Sequence, residues 1–459
     1  MFASPAQFTR RDWLRSVALS ALAVAEGRAA GAPHHGPRAR SVVFCFMDGG
    51  PSHVDTFDPK PELTKRQGEK IGAGAVSAKS QSGADRVWFG SPWEFRQRGR
   101  SGLWVSSLLP RIADLADDLC VIRSMVGQQP LHGQQALLLH TGRVTGMAPS
   151  FGSWVAYGLG AERDTLPNYV LLNNDWIPNG GYENFGAAFL PASNAATMLR
   201  AKGTAMDNIT PGDAPAVQAR KLALLARQDR TFAESAGDDA VRGAIRNYET
   251  AFLLQSRIPD LADVSREPES IRRMYGVGAE NSYKHHYSLQ CLRARRLVEA
   301  GVRFVEITCP LTHHNNSPWD QHGNIKKYHE ENAMITDQGV AALIADLKQR
   351  GLLDSTIVVW AGEMGRTPHT SKITENCGRD HHVNGYSIFL AGGGFRGGAA
   401  YGETDEFGNS VASNAVTVHD VHATILHQLG LNHRRLTYRF GGRDMSLTDV
   451  HGEVIQTLI

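Results

Sequence analysis

The chain has 459 residues, enough for one large α/β domain with insertions or for two domains. Its formal net charge of +2 gives no indication of a nucleic-acid partner or of a strongly acidic one. Its five cysteines are odd in number and include no CxxC pair, so a disulfide framework is not expected.

The N-terminal segment is typical of an export signal. Arg10 and Arg11 precede a short, weakly apolar run at residues 17–25, and small residues follow at 29–32. The run is too short for a helix that spans a membrane. Paired arginines in this position indicate a twin-arginine signal peptide, although a chance pair before an ordinary helix is the alternative. We therefore expect residues 1–32 to be read by the twin-arginine translocation machinery, and the mature protein to be periplasmic or extracellular, with no stable membrane span.

Apolar runs and segments of helical periodicity alternate along the rest of the chain. Strands are predicted at residues 41–47, 119–125, 168–172, 303–308, 356–361 and 387–391. Helices are predicted at residues 105–119, 136–140, 150–160, 289–300, 331–350 and 417–429. Residues 192–287 are charged and poor in strand signal, which indicates a helical insertion. The alternation predicts a doubly wound, mostly parallel sheet sandwiched by helices, in a domain spanning residues 41–459.

Acidic residues and histidines follow four of the predicted strands. They are Asp48 after the first, His132 after the second, Asp320 with His322 after the fourth, and Glu363 with His381 after the fifth. Because ligands bind at the carboxyl ends of the strands in such sheets, we expect these side chains to converge. Carboxylates with imidazoles suit Zn²⁺, Mn²⁺ or iron, and all-oxygen sets suit Ca²⁺ or Mg²⁺. The alternative is that Glu363 is a loop acid and that the histidines pair with Asp380.

Three arginines could hold the oxygens of a phosphate or sulfate group through paired hydrogen bonds. They are Arg143, Arg366 and Arg379. For any one of them, a surface salt bridge is the alternative and the commoner arrangement. His313 and His314 form a further pair in the loop before Asp320, where ordinary loop histidines are commoner than metal ligands.

Several longer motifs are specific enough to compare with known families. They are GGPSHVDTFDPKPEL (49–63), SFGSWVAYGLG (150–160), RARRLVEAGVRFVEI (293–307), WDQHGN (319–324), GEMGRTP (362–368), GRDHH (378–382) and HDVHATILHQLGL (419–431). In these motifs the chain resembles the DUF1501 family, over nearly the whole mature chain. That family is in turn similar to the alkaline phosphatase and sulfatase superfamily.

The superfamily resemblance implies an alkaline-phosphatase-like fold and metal-dependent hydrolysis of phosphate or sulfate esters of small molecules or glycans. It implies a divalent cation, with Zn, Mn, Ca and Mg all open. The implied ligands are Asp320, His322 and His381 for one metal, with Asp48 and Glu363 for a second metal or for the substrate. Counting back from residues 141–143 places His132 near the nucleophile, where it would act as nucleophile or as general acid and base.

Two departures from the superfamily pattern leave two hypotheses open. His132 stands where the superfamily has Ser, Thr or Cys as nucleophile, and Met364 stands where a His or Asn ligand is expected. A thioether is a poor ligand for a hard cation. The protein is therefore either an exported metal-dependent hydrolase or a non-catalytic periplasmic binding or assembly protein on the same fold. The retained acids favour the first, because burying charge without need is costly. A dinucleotide-binding oxidoreductase is disfavoured, because no GxGxxG follows a first strand.

Overall fold

The computed structural model describes residues 33–72, 86–162, 166–207, 209, 212–236, 245, 257–312 and 317–459. The expected signal peptide at residues 1–32 and the pair His313 and His314 lie outside these described residues, and both remain predictions. Within the described part of the chain, no helix is both long and apolar enough to cross a membrane.

Among the described residues, nine strands form one sheet through the middle of the molecule. In chain order they are β1 (Ser41–Phe46), β2 (Leu119–Val126), β3 (Tyr169–Asn173), β4 (Thr197–Arg200), β5 (Phe304–Thr308), β6 (Thr356–Ala361), β7 (Tyr386–Ala391), β8 (Ala399–Tyr401) and β9 (Val416–Thr417). In space the order is β8-β2-β7-β6-β1-β5-β3-β4, and β9 also pairs with β2.

All strand pairs of this sheet are parallel except the two that β7 makes with β6 and β2. The predicted α/β fold with a mostly parallel sheet is therefore confirmed. Because only β7 is reversed, the carboxyl ends of β1, β3, β5, β6 and β2 lie at one edge of the sheet. The loops that leave this edge carry the residues of the site described below.

Helices cover both faces of the sheet. They are α1 (His53–Thr56), α2 (Pro61–Lys65), α3 (Pro110–Ala113), α4 (His132–Thr141), α5 (Phe151–Leu159), α6 (Pro215–Ala236), α7 (Glu269–Tyr275), α8 (Ser282–Ala300), α9 (Ile325–Gln349) and α10 (Val418–Gln428). Val43 and Cys45 of β1 share one core with the apolar residues of α8 and α9. Val42 and Phe44 share a second core with α4, α5 and α10. Alternate residues of β1 thus serve the two layers, as the pleat of a strand requires.

The expected helix at residues 105–119 is wrong. Leu103–Ser106 is a strand that pairs with Phe95–Arg98, and the helix α3 begins only at Pro110. The residue before a proline is sterically pushed out of the α region, and Leu109 accordingly has φ −120° and ψ 63°. The apolar spacing was that of a helix, but the proline divides the segment.

The segment 192–287, expected to be helical, also contains the strand β4. It pairs in parallel with β3 and extends the sheet by one strand, with Val170 opposite Thr197 and Asn173 opposite Arg200. A strand of four residues is too short to stand out from its charged surroundings in the sequence. The helices α6 and α7 follow it, so the segment mixes one edge strand with helices. The domain bounds themselves remain a prediction.

Candidate metal centre

Asp48 and Glu363 are placed side by side by two neighbouring strands. Phe46, the last residue of β1, lies opposite Ala361, the last residue of β6, and each acid follows two positions later. The backbone N–H of Gly49 faces both carboxylate oxygens of Glu363, at 3.1 and 3.0 Å. The strand ends therefore bring two buried acids together, as the sequence predicted for the edge of a parallel sheet.

Gly49 has to be a glycine for this turn to form. Its φ is +103°, and a Cβ at this position would lie 2.6 Å from the backbone nitrogen of Asp320. An L side chain would be strained by the dihedral angle and would collide with the Asp320 loop. The turn after β1 is thus packed directly against the loop that supplies the next candidate ligand.

Four side-chain nitrogens lie around one oxygen, Oδ1 of Asp320. The Nε2 atoms of His132, His322 and His381 are 3.2, 3.0 and 3.3 Å away, and Nη1 of Arg366 is 2.7 Å away. The Nε2 atoms of His322 and His381 are themselves 3.0 Å apart. The ligand atoms of His132, Asp320 and His381 lie within 4.8 Å of one another, and those of His322, Asp380 and His381 form a second such group. Imidazole nitrogens with carboxylate oxygens at such distances suit a transition metal.

The other ring nitrogen of each histidine faces a hydrogen-bond acceptor. The acceptors are Oε1 of Glu363 at 2.5 Å for His132, the carbonyl oxygen of Pro130 at 2.6 Å for His381, and Oδ1 of Asp380 at 3.5 Å for His322. A proton held at Nδ1 by such an acceptor leaves Nε2 as the ring nitrogen that can bind a cation. Histidines that bind metals in proteins are oriented in this way by a carboxylate or a carbonyl.

The charges around Asp320 favour its ionised form. Burial alone would raise the pKa of its carboxyl, but Arg366 and the three histidines hold that pKa well below its usual range. Burial lowers the pKa of His132, yet Asp320 and Glu363 outweigh burial and raise it to about 9. Without a cation, His132 is therefore an imidazolium between two carboxylates. A metal at its Nε2 would replace a proton, which is how metal binding and protonation are coupled.

Asp48 forms a second part of the centre. Its side chain is fully buried, and Oδ2 accepts a hydrogen bond of 2.9 Å from the indole N–H of Trp176. Among the described residues Oδ1 has no donor at hydrogen-bond geometry, although the Ser317 hydroxyl lies close enough to lower the pKa of the carboxyl. Burial and the charge of Glu363 prevail and raise the pKa of Asp48 to about 7. Two carboxyl groups thus lie in one buried pocket, and the charge of Glu363 disfavours ionisation of Asp48.

Arg366 is close to the centre but is already engaged. Its buried guanidinium donates to the carbonyl oxygens of Gly49 and Gly50 as well as facing Asp320. Residues 365–366 pair in antiparallel fashion with residues 381–382, which places Arg366 next to His381. The arginine therefore ties the turn after β1 to Asp320 and His381.

Arg379, expected to hold substrate oxygens, lies with its guanidinium turned away from the cluster. Its five N–H donors are all used: two bond the buried Asp55 at 2.7 and 3.0 Å, and three bond the carbonyl oxygens of Phe89, Thr367 and Gly90. The arrangement leaves no donor for a substrate.

Arg143 lies beyond the far end of the helix α4, whose first residue is His132. A helix of ten residues is about 15 Å long, so Arg143 is well removed from the cluster. It pairs with Asp449 at 3.1 Å instead, with 32% of its side chain exposed. The structure thus brings six of the predicted metal-site and catalytic residues together with Arg366, and leaves out Arg143 and Arg379.

Of the histidine pair at 381–382, His381 faces Asp320 and His382 does not. The ring of His382 is buried on the other side and stacks on His53, with ring centroids 5.8 Å apart. Consecutive residues of a strand point to opposite sides, so only one of the two can reach the centre. The sequence left this choice open.

No sequence motif indicated Trp176 as a residue of the centre, and Asp380 was predicted only as an alternative partner of the histidines. Trp176 comes three positions after the end of β3, at the same edge as Asp48, and this position was the available signal. Of the six clustered residues, only His322 is substantially exposed, with 48% of its side chain accessible. Access from solvent is therefore on the His322 side.

Comparison with known proteins gives a family and a general fold. The profile of the family described as "Protein of unknown function (DUF1501)" matches residues 39–459. No curated protein matches the chain. The solved structures that are similar to it have the α/β architecture in common with it and low sequence identity.

Three of these structures show the range. The PsFucS1 sulfatase from Pseudoalteromonas sp. has 14% identity, with 91% of this chain and 71% of that chain covered and a TM-score of 0.35. The lipoteichoic acid synthase LtaP from Listeria monocytogenes has 10% identity, coverage of 87% and 74%, and a TM-score of 0.38. The alkaline phosphatase from the Antarctic bacterium TAB5 has 10% identity, coverage of 86% and 99%, and a TM-score of 0.36. At these values the likeness is one of fold alone.

Proposed function

Since the chain belongs to the DUF1501 family, whose description leaves the function open, we propose from the site itself that the protein is a metal-dependent hydrolase. The observation that carries the proposal is the convergence of three Nε2 atoms on Oδ1 of Asp320, each from a ring whose Nδ1 faces an acceptor. Of this set Asp320, His132 and His381 are buried, and burying such ionisable groups is costly without a cation.

The cation would be held by Asp320, His132 and His381, whose ligand atoms lie together, with the half-exposed His322 as the fourth ligand. Three imidazoles favour Zn²⁺ or Mn²⁺ over Ca²⁺ and Mg²⁺, which prefer oxygen ligands. A bound metal of this kind supplies Lewis acidity and lowers the pKa of a water ligand. Asp48 and Glu363 form the acidic pocket beside it, which would take a second cation.

Two further side chains hold the proposed ligands in place. Glu363 holds His132 through Nδ1, and Arg366 holds Asp320. In this arrangement both nitrogens of His132 are engaged, so we assign it as a ligand in place of the nucleophile or general acid and base that the superfamily resemblance implied. Hydrolysis would then proceed by direct attack of water, without a covalent intermediate on the protein.

The substrates would be phosphate or sulfate esters, of small molecules or of glycans. This part of the proposal rests on the resemblance to the alkaline phosphatase and sulfatase superfamily, as does the choice of ester. Export by the twin-arginine machinery to the periplasm or beyond rests on the sequence of residues 1–32.

A second candidate function is a non-catalytic periplasmic binding or assembly protein. Two observations favour it: no Ser, Thr or Cys stands at the nucleophile position, and the centre is buried except at His322. In that case the metal would stabilise the fold or shape a binding surface.

Metal binding is tested first, by elemental analysis and thermal unfolding of the mature protein after chelation and reloading with Zn²⁺ or Mn²⁺. A cation at about 100 times its Kd stabilises the folded state by about 2.7 kcal/mol. His322→Ala removes a half-exposed ligand and should weaken binding at least 10–100-fold, which is the usual effect of losing even an outer partner. His451→Ala, which removes an exposed histidine outside the cluster, is the matched control.

Absence of bound metal in the wild type would refute the metal centre, and equal binding by His322→Ala and His451→Ala would remove His322 from the ligand set. Hydrolysis is tested next, with aryl phosphate, phosphodiester and aryl sulfate esters on the reloaded wild type and on His381→Ala. Activity that His381→Ala abolishes supports the hydrolase. Bound metal without activity on any of these esters favours the binding protein.

A further inference from the structure

Trp176 is the hydrogen-bond donor to a buried acid of the centre, Asp48. Asp48 is fully buried, Trp176 is partly exposed, and the indole N–H donates to Oδ2 of Asp48 at 2.9 Å. We propose that Trp176 is a positioning residue that orients the Asp48 carboxylate so that Oδ1 is presented to a second divalent cation. This inference rests on the proposed metal-dependent function and adds to it a residue that acts through Asp48.

The chain is built to hold Trp176 in place. Asp175 has a φ of +60°, and its N–H is bonded by Oδ1 of Asn173 at 2.8 Å. The amide of Asn173 donates in turn to the carbonyl oxygen of Trp176 at 2.6 Å. Asn174 is tied to Thr308 of β5 by bonds of 3.2 and 2.6 Å. The turn after β3 is therefore fixed to two strands, and this fixes the position of the backbone that carries the indole.

The fixed indole decides which oxygen of Asp48 is available. With Oδ2 bonded to Trp176, the buried Oδ1 is left without a donor at hydrogen-bond geometry among the described residues. Besides the indole, the Ser317 hydroxyl lies close to this carboxyl. A buried carboxylate oxygen without a well-aligned donor is costly, and a cation is a partner that would satisfy it. The neighbouring carboxylate of Glu363 adds a second negative charge to the same pocket.

The chemistry of this pocket differs from that of the histidine cluster. Its donors are carboxylate oxygens, so it suits a hard cation such as Mg²⁺ or Mn²⁺. Partners that orient a ligating carboxylate typically change metal affinity by 10–100-fold when they are removed. The loss of the indole N–H should therefore weaken binding of the second cation by this factor and leave the affinity for the first cation unchanged.

The test uses Trp176→Phe and replacement of Trp176 by benzothienylalanine, which keeps the ring shape and lacks the N–H. Trp93→Phe is the matched control, because Trp93 also donates its indole N–H to a carboxylate, Oε1 of Glu330 at 3.2 Å, on the surface. Metal-free protein is titrated with Mn²⁺, and free Mn²⁺ is counted by electron paramagnetic resonance. We expect two classes of site in the wild type and in Trp93→Phe, and a 10–100-fold weaker second class in both Trp176 variants.

The possible outcomes distinguish failure of the role of Trp176 from failure of the proposed metal-dependent function. A wild type that binds no Mn²⁺ overturns both. One class of site in all variants, or two classes unaffected at Trp176, overturns the role of Trp176 and leaves the histidine centre standing. Equal weakening of both classes also overturns it, because the substitution would then act through the fold. A midpoint of urea unfolding within error of the wild type, measured without metal, shows that the benzothienylalanine protein is folded.

Discussion

Replacing Arg379 by methionine should destabilise the protein without a direct effect on substrate binding. The substitution keeps an unbranched side chain and removes the charge. It leaves the carboxylate of Asp55, which is fully buried, without its partner. Removing one member of a buried ion pair costs about 3–5 kcal/mol. Three backbone carbonyl oxygens lose a donor as well, so the upper part of this range is expected.

The effect is measurable as a shift of the unfolding transition. Unfolding entropy of about 2.1 cal/mol/K per residue amounts to about 1 kcal/mol/K for a chain of this size, so the melting temperature should fall by about 3–5 °C. Arg143→Met is the control, since the pair with Asp449 is about one-third exposed and is worth about 0–1 kcal/mol. Circular dichroism in urea gives the free energy of unfolding for both variants.

The pH dependence of the difference gives a second measurement. Burial would raise the pKa of Asp55, but the charge and hydrogen bonds of Arg379 hold it below its usual value. The wild type therefore has this stabilisation in full at neutral pH and loses it as the pH falls below about 4. In Arg379→Met only the weaker effects of Ser52 and His329 oppose burial, which is the largest influence on Asp55. Burial then raises the pKa of Asp55, so the destabilisation should be smaller at pH 4 than at pH 7.

Two results would refute this reasoning about Arg379. One is a loss of stability no larger than that of Arg143→Met. The other is unchanged stability with lost ester binding, which would return Arg379 to the substrate role that the sequence suggested.

Three further substitutions test the turn, the second carboxylate and the core beneath them. Gly49→Ala should lower the free energy of unfolding by at least about 1–2 kcal/mol and weaken metal binding, because residue 49 has a φ of +103°. Calorimetry measures the stability and metal titration the affinity. Wild-type values for both would contradict the described packing of this turn. Glu363→Gln should weaken Zn²⁺ binding about 10–100-fold in competition with a chromophoric chelator, and unchanged affinity would show that its charge does not hold His132. Tyr169→Phe removes a buried hydrogen bond of 2.6 Å to Glu306. It should lower the free energy of unfolding in urea by about 1–3 kcal/mol and leave metal affinity unchanged. A loss of metal affinity would show that this bond is coupled to the centre.

The sequence was sufficient for features that depend on local pattern. The strand β6 was predicted with its observed bounds, because residues 356–361 are a continuous apolar run buried on both faces. Acids two positions beyond β1 and β6 could be placed at one sheet edge, because parallel strands end together. The proline at 110 was visible too, and giving it more weight would have divided the predicted helix.

Features that depend on distant partners could not be predicted. Arg379 looks the same in the sequence whether it holds a substrate or Asp55, and these two residues are 324 positions apart. The same is true of Trp176 and Asp48, which are 128 positions apart. Which of two consecutive histidines faces the centre depends on how the short strand at 381–382 is rotated, and the sequence does not determine that rotation.

The turn at Gly49 has a consequence for the order of folding. Its N–H is bonded to Glu363, 314 positions away, and His132 reaches the same carboxylate across 231 positions. Contacts of such long range form late, because closing long loops has to precede them. The centre therefore exists only once β1, β2 and β6 are assembled, and a cation can bind tightly only to a chain that has nearly completed its sheet. Metal uptake would then report on the last stage of folding, and metal release on the opening of the sheet.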